Sequence, residues 1–431
     1  MDDGAFFPDC RLASSSFSST GIATIATGAY PEAHGIIAES WYDPDSKKIV
    51  SAHSSLTQSS TLADQIAAAD TRNRVLATGM NRARAELLVG RHSVLSVEPG
   101  PEEPAWMAAF RQSHSPDRFK NAKWQALQAE PNAPPLRTLV DSEFTALYNA
   151  SPFGQEDQFD LLRSIIAEEK LGQGGGFDFI AALVSSTALL GYEVGADSPL
   201  MREMVLHLDR QIESTLELLR KVAGPANFGL AFTGAHGVTS LGAKAIDGAA
   251  VAQTIDKALS IAFDGSGAPN RYVERYVYPF LYLNHDQLRR QGVDPAKARR
   301  MAGEAALRHA QGVAGYYTAD GQSSRSGEWL RRFQNSFHTA RSGDVMLAYE
   351  SNAVERYGAG HGLSYGSLYN YDIQTPLLLY GSQFRSTTEE APVESVDIAP
   401  TLARALRVAA PSMNSGKVLS AAFAPDAKGP K

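Results

Sequence analysis

The sequence predicts an α/β fold with a mostly parallel central sheet between helices, and three observations carry that reading. Short apolar, β-branched or aromatic runs alternate with longer segments of helical period along the chain. At 431 residues the chain suits one large α/β unit, with 43% hydrophobic and 20% charged residues giving it the material for a sizeable core. Neither an internal repeat nor a low-complexity tract breaks the alternation.

In chain order, core strands are expected at Arg74–Thr78, Ser93–Val97, Phe177–Ser185, Asn227–Thr233 and Pro376–Tyr380. A helix ends over Ile165–Leu171, with Gly172 as its cap. Met204–Val222 repeats Leu206, Leu208, Ile212, Leu216, Leu218 and Leu219 at near-helical spacing and stops at Gly224-Pro225. Asp397 opens a late helix and Pro400 falls in its first turn, where a missing N–H is harmless. Glu98–Pro135 lacks a clear period and reads as an insertion. Ala262–Gly343 reads as another, with a strand at Tyr276–Leu283 and a charged helix at Pro295–Ala310. The resulting division is a core in two parts, 1–254 and 346–431, around an inserted cap region at 255–345.

A net charge of −7 and no basic cluster argue against a nucleic-acid partner. The single cysteine, Cys10, excludes an internal disulfide and reads as a small buried residue. The most apolar window, Phe177 to Gly191, is too short and too polar to span a membrane. Met1-Asp-Asp-Gly has neither the basic start nor the apolar run of a signal peptide.

The most informative stretch is Thr24-Ile-Ala-Thr-Gly28 followed by Ala29-Tyr-Pro-Glu-Ala-His-Gly-Ile-Ile37. After it come Trp41-Tyr-Asp43, Asp197-Ser198 with Leu208-Asp-Arg210, and Thr233-Gly-Ala-His-Gly237. Gly366-Ser-Leu-Tyr-Asn-Tyr-Asp372 then leads into Pro376-Leu-Leu-Leu-Tyr-Gly381. This ordered set resembles the alkaline phosphatase superfamily over nearly the whole chain. The resemblance is closest to the bacterial phosphate-irrepressible alkaline phosphatases and the type I phosphodiesterases and nucleotide pyrophosphatases. It implies an alkaline-phosphatase-like fold and a phosphate-ester hydrolase scaffold that works with two zinc ions.

By that resemblance the nucleophile position is Ser18, with Ser19 as the neighbouring alternative, at a helix N-terminus. The metal-ligand positions are largely substituted. His236 survives, whereas Ala188, Tyr192, Ala235 and Tyr365 stand where ligands belong, and His361 could serve only through a shifted loop. Glu39 takes the place of an asparagine that contacts phosphate, and Arg82 or Arg84 could stand in for the family's cationic pair. A further ligand, an Asp, belongs to a first core strand that is apparently missing, since Met1-Asp-Asp-Gly-Ala-Phe resembles the middle of a family segment.

These substitutions remove carboxylates and add apolar volume, as an emptied two-zinc site requires. No cofactor is expected, although zinc serves the family. The reading is a superfamily homologue that is a pseudoenzyme or strongly impaired, with a small phosphate ester or another small ligand as partner. Two alternatives stand beside it. One is an active phosphomonoesterase or phosphodiesterase using Ser18 with rearranged ligands, His236, His361 and a carboxylate. The other is a metal-free hydrolase built from Ser18, His236 and Glu39. Family members are mostly exported, so a periplasmic or secreted location is the expectation.

Overall fold

The structure is a computed structural model that describes residues 4–240, 244–355 and 365–424. The strands used below are β1 (Gly4–Arg11), β2 (Arg74–Gly79), β3 (Ser93–Val94), β4 (Asp178–Leu183), β5 (Gly229–Thr233), β6 (Val273–Val277), β7 (Phe280–Leu283), β8 (Val313–Thr318), β9 (Val345–Tyr349), β10 (Gln374–Gly381), β11 (Thr387–Thr388) and β12 (Val393–Glu394). The helices are α1 (Ser18–Thr27), α2 (Arg82–Val89), α3 (Pro152–Glu168), α4 (Ser186–Val194), α5 (Pro199–Val222), α6 (Gly248–Asp264), α7 (Pro295–His309) and α8 (Ile398–Leu406).

The central sheet is built in two pieces. In one, β3, β2 and β4 run parallel, with Leu76 opposite Ser93 and Arg74 opposite Asp178. In the other, the order is β11-β1-β10-β5, with β12 also on β1. There β10 runs against both β1 and β5, while β11 and β12 lie parallel to β1. Helices cover these sheets through continuous apolar clusters. Ala399 and Ala403 of α8 and Ala85 and Val89 of α2 pack on Val75 and Ala77 of β2. Phe159, Leu162 and Ile166 of α3 and Leu208, Ile212 and Leu219 of α5 close a second cluster around Leu76 and Ile180.

Among the described residues β4 pairs on one side only, with β2, and β5 on one side only, with β10. No residue of either strand is fully buried. The 24-residue helix α5, which links them through Ala223 to Phe228, buries only Met201, Met204 and Thr215.

Several elements differ in extent from the sequence reading. Regular strand geometry covers only Ser93–Val94 of the expected Ser93–Val97, although the Leu95 and Val97 N–H groups still donate to the Ala77 and Gly79 carbonyls of β2. The expected single strand Tyr276–Leu283 is the hairpin β6–β7, broken at Tyr278-Pro279, where proline lacks a ladder donor. Helix α5 starts earlier than Met204, because Ser198 caps it by accepting from the Leu200 N–H and Pro199 suits its first position. The helix expected to run to Leu171 ends at Glu168 with Glu169 at its C-cap, and Lys170 is already left-handed at φ 51°, so Gly172, at φ 78°, lies beyond the cap.

The segment 248–349 forms its own layer. An antiparallel sheet in the order β6-β7-β9-β8 packs against α6 and α7 around Ile255, Leu259, Tyr272, Leu281, Ala302, Ala306 and Val345. Helix α6 runs through residues 254 and 255, and β9 begins at 345, so both sequence-drawn edges of the cap region meet regular structure. No helix among the described residues is long and apolar enough to cross a membrane. Cys10 is buried, and desolvation pushes its thiol up to about 12, which keeps it inert.

Candidate active site

Two loops and two helix ends meet around Ser18. Helix α1 has no side-chain cap, because Phe17 occupies its N-cap position, so the first-turn N–H groups need partners from elsewhere. Gly28 ends the helix in the left-handed region at φ 65°. Halfway between, Gly21 lets the loop after β5 rest directly on the helix. A Cβ at Gly21 would lie 1.9 Å from the Ala235 carbonyl oxygen. That contact sets the height of His236 above Ser18.

His236 Nδ1 is 2.6 Å from the Gly237 carbonyl oxygen. A carbonyl only accepts, so Nδ1 carries the proton and Nε2 presents a lone pair. Ser18 Oγ is 2.7 Å from Nε2 and donates to it. The Tyr192 hydroxyl lies 2.9 Å from Nε2 and 3.2 Å from Ser18 Oγ, so with Nε2 engaged it donates to the serine oxygen. Burial holds the His236 pKa below its ordinary 6.5, the Gly237 hydrogen bond and Glu39 opposing and Arg84 assisting. The imidazole is therefore neutral at pH 7.

Tyr365 lies over both rings, parallel to Tyr192 at 4.5 Å and to His236 at 4.7 Å between centroids. Phe17 meets Tyr365 edge-on at 6.3 Å. Burial raises the pKa of Tyr192 and of Tyr365, so both stay phenols. Ala235 packs beside Ile22 and Ala23, and Ala188 sits one turn before Tyr192 on α4. Tyr192, His236 and Tyr365 thus gather at Ser18 with Ala235 on the adjoining loop, while His361 lies outside the described residues.

Glu39 sits on the other side of the first turn. Its Oε1 accepts from the Ser19 N–H at 3.0 Å and its Oε2 from the Ser19 hydroxyl at 2.7 Å. Arg84 Nη2 donates to Oε2 at 3.2 Å and reaches the Tyr365 hydroxyl at 3.4 Å. Of the two candidate arginines, Arg84 therefore faces the site, while Arg82 pairs with Glu103 at 3.0 Å. The Ser/His/Glu wiring is corrected by this arrangement. Glu39 bonds Ser19 rather than orienting His236, because its carboxylate is drawn to the uncapped first turn of α1, and the Gly237 carbonyl fixes the imidazole instead. Sequence reasoning missed Gly237 in that role, although it closes the Thr233–Gly237 motif.

Among the described residues the donors around Ser18 do not suit zinc. Zinc takes imidazole lone pairs, thiolates or carboxylates, commonly four around the ion. Here the Nε2 lone pair of His236 is taken by the Ser18 hydroxyl, and the described residues around it are the neutral phenols of Tyr192 and Tyr365 and the alanine of the Ala235 loop. A separate group that could hold a metal, His114, Asp157 and Asp160, has ligand atoms within 4.8 Å of one another. Asp157 there is already bound by Arg118 and Tyr148.

Fold and site together define a member of the alkaline phosphatase superfamily. The signature of the type I phosphodiesterase / nucleotide pyrophosphatase family matches residues 1–362, and the chain belongs to that family. It is 22% identical to the alkaline phosphatase PhoV of Synechococcus elongatus, over 94% of this chain and 83% of that protein. It is 24% identical to the alkaline phosphatase PhoD of Zymomonas mobilis, over 90% and 77% respectively. The crystal structure of alkaline phosphatase PafA superposes with a TM-score of 0.86 at 20% identity, covering 98% of this chain and 92% of that one. Murine ectonucleotide pyrophosphatase / phosphodiesterase 5 superposes at 0.57 and 13% identity, covering 95% and 88%. The family is zinc-dependent in general, which sets the donor mismatch described above in relief.

Proposed function

We propose that this chain is a phosphate-ester hydrolase scaffold whose two-zinc chemistry has been given up, a pseudoenzyme or a strongly impaired enzyme that binds a small ligand at the Ser18 site. The observation that carries the reading is the ring cluster of Tyr192, His236 and Tyr365, which fills the ligand positions with neutral groups bonded to one another. A metal site needs its ligands placed to a few tenths of an ångström and a supporting shell that orients them. Around Ser18, the described residues supply neither. Protein purified without chelator should contain well under one zinc per chain and should not turn over p-nitrophenyl phosphate with added zinc, magnesium or manganese. Stoichiometric zinc, with turnover abolished in Ser18→Ala, would sink the proposal and favour rearranged ligands that include His361.

A second reading is favoured by the 2.7 Å bond from Ser18 Oγ to the neutral His236. Ser18 and His236, oriented by the Gly237 carbonyl, have the connectivity of a metal-free nucleophile and base. With a fluorophosphonate, Oγ would bond phosphorus, its proton would pass to Nε2, and fluoride would leave. Labelling at Ser18 that is lost in both Ser18→Ala and His236→Ala supports this reading; an unlabelled Ser18 in folded protein excludes it.

A further inference from the structure

We propose that Glu39 sets the charge that the Ser18 site accepts, because its carboxylate occupies the seat an oxyanion would take and so rejects dianionic ligands. Its two oxygens receive the Ser19 N–H, the Ser19 hydroxyl, the Arg84 guanidinium and, more distantly at 3.4 Å, the Tyr365 hydroxyl. A first-turn amide, a hydroxyl and a guanidinium converging on two oxygens are the donors that hold carboxylates and phosphates alike. The seat is mostly enclosed, with the Glu39 side chain 19% exposed and that of Arg84 33%. Thr20, next on the same turn, keeps a fully buried hydroxyl without a hydrogen-bond partner, so the turn still holds unused polar capacity. Ser18 precedes Ser19 on the helix, so a ligand that reaches Ser18 Oγ must approach beside the Glu39 charge.

A purely structural role, capping an otherwise uncapped helix, would use the same bonds but would leave ligand charge irrelevant. The two roles separate in Glu39→Gln, which keeps the size and an acceptor while removing the charge, and in Glu39→Asn, which keeps the acceptor on a shorter arm. Binding of inorganic sulfate and of inorganic phosphate would be measured by calorimetry with EDTA present, on the full chain. With chelator present, the outcome is independent of the fate of the metal site, which zinc content and turnover test separately.

Glu39→Gln should bind both anions at least about tenfold more tightly than the unsubstituted chain, as removal of a nearby like charge requires. The gain should shrink with added salt and vanish in Glu39→Gln/Arg84→Ala. The proposal is overturned if folded Glu39→Gln and Glu39→Asn gain no affinity, or if the gain survives without Arg84. It is also overturned if neither variant folds, since the carboxylate would then be acting as a cap.

Discussion

The imidazole of His236 lies parallel to the phenol of Tyr365, with planes 1° apart and centroids 4.7 Å apart. Tyr365 therefore supports the imidazole by its face, while its hydroxyl lies 3.4 Å from both Arg84 and Glu39. Tyr365→Phe, which removes the hydrogen bonds of the hydroxyl and keeps the ring, should lower stability by about 1 kcal/mol. Tyr365→Ala should lower it by about 2–4 kcal/mol through the lost ring and the cavity left behind. Urea denaturation of the two variants checks the difference, and equal losses would contradict the stacking account.

Neutrality of His236 can be read from the pH dependence of Ser18 modification. Burial lowers the imidazole pKa, so the base form persists at pH values where an exposed histidine is protonated. Labelling by a fluorophosphonate should fall off only below the ordinary histidine value of 6.5. In Glu39→Gln the fall-off should move lower still, because Glu39 favours the charged imidazole. A midpoint above 6.5 would contradict the enclosed, neutral ring.

Gly21 admits the Ala235 carbonyl at a distance that excludes any side chain. In Gly21→Ala the obstruction is backbone, so the loop bearing His236 must move away from α1. We expect a loss of about 2–4 kcal/mol of stability, together with a weakened bond between Ser18 and His236. Thermal melts and probe labelling should fall together; a normal melt with normal labelling would refute the contact.

Glu355 offers a pH test away from the site. Burial raises its carboxyl from 4.5 to about 7, against the bonds from Tyr276 at 3.1 Å and Tyr349 at 3.2 Å, and Asp247 adds to the rise. A carboxyl whose folded pKa exceeds its unfolded value contributes stability that is complete below about 4.5 and is lost as pH rises through about 7. Glu355→Gln should therefore gain on the unsubstituted chain by about 2–3 kcal/mol at pH 8.5 and by little at pH 4.5. Denaturant titrations at the two pH values decide it.

The meeting of far-apart stretches was legible only through the resemblance to family motifs, which pointed to Ser18, Tyr192, Ala235, His236 and Tyr365; the bonds among Ser18, Tyr192 and His236 came from the structure. The wiring was not legible. Whether Glu39 turns to His236 or to Ser19 depends on the missing cap of α1, a backbone fact invisible in side-chain identity. Arg82 and Arg84 are equivalent on paper until the path of α2 sends one to Glu103 and the other to Glu39. The strand at Ser93 was legible from composition, and its bonds to β2 run on through Leu95 and Val97 even where regular strand geometry stops at Val94.

The one-sided strands β4 and β5 have a consequence for how this protein behaves in the tube. Each leaves a row of amides and carbonyls outside any ladder among the described residues, and neither Asp178-Phe-Ile-Ala-Ala-Leu183 nor Gly229-Leu-Ala-Phe-Thr233 carries a lysine or proline to deter a visiting strand. Phe177, half exposed beside the first of them, adds an adhesive apolar contact. Among the described residues these two margins are therefore where a further strand, from this protein or a second copy, could add to the sheet by backbone bonds alone.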